Sequence, residues 1–261
     1  MSASFAETVV LVRAVARKSL VLRARYAFDT VTTLLVVYAF FALAVFGGRE
    51  LAPRVVDEHL GGIVVGFFLL LMASVAYADL SWELVREAEW GTLEQLYVSP
   101  HGFGRVVAVE TAVTLLVSFA YGVALLALML ATTRTRLLLD PLTVVPLGAL
   151  ALCSAVGVGF ALGGLALVFE RVESALRLAQ FALVALVALP VDAYPVLKLL
   201  PLALGSDLLR ESMAAGRHLW GLPPADLGLL VVTAVVYAGG GYAVFRLGIR
   251  RARTTGRLGR H

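Results

Sequence analysis

Four glutamates lie close together in the segment 82–100, and carboxylates grouped in this way could bind a basic surface of another protein. Gly91 and Thr92 interrupt the helical pattern, because glycine permits a bend and a threonine side chain can cap the turn that follows. Leu93 and Leu96 add an apolar edge beside the acids. A helix that is acidic on one side and apolar on another is suited to docking a soluble partner. A solvated connecting loop is the alternative.

The side chains that usually bind metal or perform catalysis are scattered. None of the four histidines is paired at helical spacing, as a zinc site would require. The chain has only two lysines, Lys18 and Lys198, and neither follows a glycine as in a phosphate-binding Gly-Lys-Ser/Thr loop. No Gly-x-Ser-x-Gly or His-Glu-x-x-His motif occurs. We therefore expect no enzymatic activity, no metal and no cofactor in this chain.

The composition indicates that these residues are positioned by a membrane-embedded helical bundle. Hydrophobic residues make up 60% of the 261 residues and charged residues 15%, whereas soluble domains carry about 25% charge. The length suits one domain, 1–261, with all-α architecture. We predict six transmembrane helices, at residues 30–46, 61–78, 106–131, 141–169, 178–189 and 227–245.

Three segments outside these spans have patterns of their own. Residues 1–29 combine arginines with leucines and valines on other faces, which predicts an interfacial helix, with a simple basic tail as the alternative. Residues 79–105 form the longest charged segment and are predicted to be cytoplasmic. Residues 190–224 contain several prolines and glycines, which forbid one spanning helix, so we predict two short re-entrant helices on the outer side.

The distribution of bases predicts the orientation. With both termini in the cytoplasm, the inner segments hold fifteen of the 22 lysines and arginines and the outer segments seven. The positive-inside rule then predicts that both termini are cytoplasmic. We expect the membrane to be the plasma membrane. Because the arginines cluster beside apolar spans, we expect membrane lipids rather than nucleic acid as their partners.

Small and acidic residues inside the spans are further candidates. Gly159 and Gly163 give the fourth span a small-xxx-small face for helix packing, either within the chain or between two copies. Glu110 and Asp192 lie near the ends of spans. Carboxylates within a membrane are functional candidates, but at these depths we expect both to reach water.

The acidic segment also carries a family resemblance. Residues 87–100 read Glu-x-Glu-x-Gly-Thr-Leu-Glu-x-Leu-x-x-Ser-Pro between the second and third predicted spans. This resembles the signature of ABC-2 type transporter permeases. In that family the segment forms a cytoplasmic coupling helix that docks into a cleft of the ATP-binding subunit. By this resemblance the partner-binding residues are Glu87, Glu89, Gly91, Thr92, Leu93, Glu94, Leu96 and Pro100.

The resemblance implies the membrane subunit of an ATP-driven exporter. Two permease subunits, identical or homologous, would pair, and a separate ABC subunit would bind ATP and Mg²⁺. The apolar spans favour an amphiphilic or lipid-like cargo or a drug. Two departures from the family pattern occur, namely Ala88 between the two glutamates and His101 after Pro100. The alternatives are a membrane-bound assembly factor that docks a non-ATPase partner and, less supported by the residues, an intramembrane enzyme.

Overall fold

A computed structural model describes residues 12–19, 21, 25, 27–89, 103–169, 172–191 and 193–254. All regular secondary structure within these ranges is helical. Five helices are long and apolar enough to cross a membrane. The prediction of an all-helical, multi-pass membrane protein is confirmed at this level.

The described helices follow one another in the order given below. Helix α1 (Ala27–Ala42) continues through a π-helical turn (Leu43–Gly47) and a last helical turn (Gly48–Leu51). Then come α2 (Pro53–Glu89), α3 (Phe103–Thr133), α4 (Pro141–Ala166), α5 (Glu173–Val187), α6 (Ala203–Met213) and α7 (Pro224–Thr254). Two 3₁₀ turns, Pro195–Leu199 and Leu219–Gly221, flank α6. The five stretches that are long and apolar enough to cross a membrane lie in α1, α2, α3, α4 and α7.

The first predicted span does not end at Gly47. The helix continues to Leu51, and the only described non-helical residue before α2 is Ala52. Pro53 explains this break, because proline disfavours helical geometry in the residue before it and is tolerated at a helix start. Gly48 remains helical at the corner, where an added Cβ would lie 3.0 Å from Val56 Cγ2. The predicted polar loop is therefore a tight corner between α1 and α2.

The fifth predicted span is also placed differently. Helix α5 begins at Glu173 rather than 178, so Arg177 lies inside it, paired with Glu173 one turn earlier at 3.3 Å. It ends at Val187 after 15 residues, which is about 22 Å of helix. A hydrocarbon core is about 30 Å thick, so α5 alone does not reach across it.

Helices α2 and α4 form the centre of the bundle. In the most apolar stretch of each helix, 56% of the residues are buried in α2 and 61% in α4, against 11% in α1. The largest buried side chains include Phe68, Met72 and Tyr77 of α2. The phenol of Tyr77 donates a hydrogen bond to the Leu176 carbonyl of α5 at 3.0 Å. Packing against α2 and α4 thus positions the remaining helices.

Helices α4 and α7 run parallel along a seam of glycines. An added Cβ at Gly157 would overlap the Tyr237 carbonyl, and one at Gly241 would overlap the Gly157 carbonyl. One heptad further, an added Cβ at Gly164 would lie 2.6 Å from Phe245 Cα. Only glycine permits backbones to approach this closely.

The parallel arrangement gives the bundle two ends. The Trp82 end contains Trp82, Gly104, Ala166, Glu173 and Arg251, and the Asp140 end contains Pro53, Thr133, Asp140, Met213 and Pro224. Since α4 finishes at the first end and α7 starts at the second, the chain between them returns across the bundle. Helix α5 covers the first part of this return.

Helix α6 covers the last part. Its N-terminal neighbour Leu202 donates its amide to Ser154 Oγ, midway along α4, at 3.0 Å. At its other end, the Met213 carbonyl accepts from the Leu138 amide at 2.9 Å. The segment 190–224 therefore holds one α-helix and two 3₁₀ turns rather than the two short helices predicted. Pro195 and Pro201 leave room only for a tight turn between them.

Candidate functional site

Helix α2 is longer than one membrane crossing requires. It has 37 residues, about 55 Å, whereas about 20 residues suffice to cross the hydrocarbon core. The helix continues to Glu89, so it carries Glu87 and Glu89 of the predicted partner-binding set at the Trp82 end. The rest of that set, Gly91, Thr92, Leu93, Glu94, Leu96 and Pro100, lies outside the described residues.

The N-terminal segment contacts the same end of the bundle. Residues 12–19 are helical, with Arg13 and Arg17 exposed, and the ammonium of Lys18 lies 3.6 Å from the Glu110 carboxylate on α3. The Glu110 side chain is only 13% exposed. The sequence had not predicted this ion pair between Glu110 and the N-terminal segment. Asp192 lies outside the described residues.

Both glycines proposed for helix packing lie in buried positions of α4. An added Cβ at Gly159 would be 3.1 Å from Ser81 Oγ of α2, so this face packs within the chain. The closest helix approach involves other glycines, at 157 and 164 on α4 and at 241 and 248 on α7. Each pair is seven residues apart, and this matched spacing was a sequence signal that our prediction missed.

A charged side chain caps the end of α5 inside the bundle. The guanidinium of Arg210, on α6, donates to the Val187 carbonyl, and Ser206 Oγ donates to the same oxygen at 2.8 Å. Carbonyls in the last turn of a helix lack intrahelical partners, and a cation there also meets the negative end of the helix dipole. The Arg210 side chain lies beside α2, with its Cδ 3.8 Å from an added Cβ at Gly62. In the sequence, Arg210 is one of the seven bases of the predicted outer segments, and its capping role was not predicted.

A polar cluster joins α4 to the lead-in of α7 at the Asp140 end. Asp140 caps α4 by accepting from the Leu142 amide at 3.1 Å and from Thr143 Oγ1 at 2.7 Å. His218 Nδ1 lies 3.1 Å from the same carboxylate. The hydrogen bond from Thr143 and the contact with His218 lower the pKa of Asp140 below its ordinary value of 3.8. The carboxylate is thus favoured in its charged form by the folded chain.

We expect acid to weaken this junction. Because the folded state lowers the pKa of Asp140, its stabilisation is present above pH 3.8 and is lost as the pH falls through the folded value. The midpoint of thermal unfolding of the purified chain should decrease as the pH is lowered below 3.8. In Asp140→Asn the midpoint should depend less on pH in this range. Asp57→Asn, at an exposed aspartate of α2, is the control. An unchanged acid limb in Asp140→Asn would contradict the assignment.

These contacts are hydrogen bonds, ion pairs and close backbone approaches that stabilise the packing of the helices. Within the described ranges no three histidine, cysteine, aspartate or glutamate side chains come together as metal ligands would. Comparisons of the chain with protein-family models, curated proteins and solved structures find no match. The resemblance to ABC-2 permeases therefore depends on the motif at 87–100 and on the order of the apolar spans.

Proposed function

We propose that this chain is the membrane subunit of an ATP-driven exporter of the ABC-2 type. A separate ATP-binding subunit would dock on the coupling segment 79–105, and a second permease subunit, identical or homologous, would complete the pathway. The chain itself would contribute no catalytic group. Its role would be to change conformation when nucleotide binding at the partner favours one arrangement of the bundle over another.

The observation that carries the proposal is the extension of α2 into the Glu-x-Glu-x-Gly-Thr-Leu-Glu motif. A helix that only crosses the membrane needs about 20 residues, and α2 has 37. The extension is continuous with α2, whose Phe68 and Met72 are buried at the bundle centre. A force applied near Glu89 would therefore be transmitted along one packed helix to the core.

The return of the chain between α4 and α7 supports six crossings rather than five. In this topology α5 enters from the Trp82 end and α6 completes the path, as an outer re-entrant element would. The Lys198 ammonium lies 2.9 Å from both carboxylate oxygens of Asp226, which holds the 3₁₀ turn against the start of α7. An even number of crossings places both termini on the side of the coupling segment. The positive-inside rule makes that side cytoplasmic.

The cargo is proposed from the surfaces of the helices. Apolar side chains such as Phe40, Leu116 and Phe181 are exposed on α1, α3 and α5. These helices offer apolar contacts to lipid and to an amphiphilic substrate alike, so the cargo class is a lipid-like compound or a drug. An assembly factor that docks a non-ATPase protein through the same segment is the rival function.

Cross-linking from the coupling segment distinguishes these functions. A Cys153→Ala background removes the only native cysteine, and Thr92→Cys then supplies one thiol within the motif. We expect a thiol–amine cross-linker to capture a protein with a Walker A loop in native membranes. Thr132→Cys, exposed at the Asp140 end, is the matched control and should capture none. Capture of only non-ATPase proteins from Thr92 would favour the rival.

The same segment should be needed for transport. Substitution of both Gly91 and Glu94 is expected to abolish export and the substrate-stimulated ATPase of the partner, because one residue shapes the bend and the other contributes charge. Membrane insertion should remain normal, as judged by the amount of chain in membranes. Normal export by the double variant would overturn the proposed docking role.

A further inference from the structure

At the Trp82 end, Tyr242 lies between an exposed arginine of α7 and the start of α3. Tyr242 of α7 brings α3 and α7 together, since an added Cβ at Gly104 would lie 3.3 Å from its hydroxyl oxygen. The guanidinium of Arg246 stands 5.9 Å from the centroid of the same ring. Arg105 follows Gly104 directly and is also exposed. The structure thus places the residue before Arg105 against the tyrosine that contacts Arg246, although the two arginines are 141 positions apart in the sequence.

Packing against α4 holds the ring of Tyr242 in place. Its ring packs edge-on against Phe160 of α4, with 5.9 Å between centroids. Phe160 in turn lies beside the buried Phe245 at 5.8 Å. Arg246 therefore sits over a ring fixed by packing, and its cation–π contact leaves the guanidinium edge accessible.

On α3 and α7 themselves, the charges beside this pair are mostly positive. Arg250, one turn beyond Arg246, is exposed, and residues 12–19 bring Arg13 and Arg17 to α3. In the sequence of α3 the only acid is Glu110, and the structure places its carboxylate beside Lys18. In α7 the only acid is Asp226, which lies at the opposite end of the helix.

The depth of the pair matches the headgroup region. Arg105 directly precedes the apolar run 106–131 of α3, and Arg246 directly follows the apolar run 227–245 of α7, so both arginines lie at the ends of apolar runs. Leu247 is 61% exposed and Val244 is 37% exposed beside Arg246 on α7. Cations at the interface next to apolar side chains suit a molecule with an anionic head and acyl chains. A soluble protein would cover the arginines but would leave these apolar side chains without a partner.

We propose that Arg105 and Arg246, with Arg250 beside them, bind the headgroup phosphate of an anionic phospholipid. Guanidinium groups bind phosphate oxygens in pairs, and basic sites between membrane helices recognise anionic headgroups. The bound lipid would join the start of α3, which follows the coupling segment, to the end of α7. This site requires a membrane protein but does not depend on the exporter assignment.

Lipid titration of the purified full-length chain tests the site. In neutral detergent micelles, short-chain phosphatidylglycerol should raise the thermal midpoint, whereas phosphatidylcholine should not. In the double variant Arg105→Gln, Arg246→Gln the apparent affinity for phosphatidylglycerol should fall by about fivefold for each arginine removed. The matched control, Arg54→Gln with Arg136→Gln, removes two exposed arginines at the Asp140 end and should keep the wild-type affinity.

Several outcomes would overturn the site. One is an equal rise of the wild-type thermal midpoint with phosphatidylglycerol and with phosphatidylcholine. Another is an equal loss of phosphatidylglycerol affinity in the two double glutamine variants. A third is equal stabilisation by inorganic phosphate, which would indicate a site for free anions. Loss of a co-purifying ATP-binding subunit with unchanged phosphatidylglycerol affinity would assign the arginines to a protein interface instead. Arg105→Lys with Arg246→Lys retains both charges and should bind more tightly than the glutamine pair. If it does not, the arginine–phosphate assignment fails even where the glutamine variant is unstable.

Discussion

Gly241→Ala should lower the free energy of unfolding by about 3 kcal/mol or more, which is the upper range for overpacking a well-packed site. The added methyl group would overlap the carbonyl oxygen of Gly157 on α4. Backbone atoms cannot turn aside as a flexible side chain can, so the two helices would have to separate. Separation would also disturb Gly164 and Phe245, one heptad along the same seam.

The control for this change lies next to it in the chain. Gly240 is on the same helix, but nothing lies within 4 Å of an added Cβ there. Gly240→Ala should therefore be neutral or stabilising by up to about 1 kcal/mol, because alanine favours helix over glycine. Reversible unfolding of the purified chain in mixed micelles with increasing sodium dodecyl sulfate measures both variants. Similar stabilities for the two would show that the seam is not closely packed in solution.

Arg210→Met is expected to release the end of α5 from the bundle. The change retains much of the side-chain volume but removes the charged donor to the Val187 carbonyl, leaving Ser206 as its partner from α6. Hydrogen bonds from charged groups contribute about 1.5–3 kcal/mol, so the loss should be in this range. The last turn of α5 should also open more often, because Ser206 alone would then donate to its terminal carbonyl.

Hydrogen exchange locates this effect. Amides in the last turn of α5 should exchange about tenfold faster in Arg210→Met, since each 1.4 kcal/mol changes an equilibrium constant by that factor. Amides in the middle of α4 should be unaffected. Arg217→Met removes an exposed arginine from the same connecting region and is the matched control. Arg210→Lys should restore part of the protection, and uniform acceleration across all helices would contradict a local capping role.

The predictions for Gly241 and Arg210 concern different parts of the transport cycle of the proposed exporter. The glycine seam joins α4 and α7 along their backbones, whereas α5 is held at its end mainly by side chains from α6. If the bundle rearranges, the α4–α7 pair should move as one unit and the α5–α6 junction should supply the change. In the proposed exporter, Arg210→Met should then impair transport more than the docking of the proposed ATP-binding subunit.

Much of the architecture could be predicted from the residues alone. Apolar runs of membrane length identified five of the helices, because the hydrocarbon core imposes both their composition and their length. The bases at the chain ends and the acidic motif after α2 predicted an orientation and a docking segment. These features are local, so composition and spacing are sufficient to propose them.

The tertiary structure decided how the helices meet and where the charges lie. Gly241 matters because Gly157 faces it, and Glu110 is paired because residues 12–19 return to α3. Arg210 caps α5 only because the chain folds back from α6, and Tyr242 links Arg246 to the start of α3 only in the folded bundle. Apolar patterns do not encode which faces of neighbouring helices touch, since lipid and protein are equally apolar surroundings. The contacts between segments that are distant in the sequence could therefore be known only from the tertiary structure.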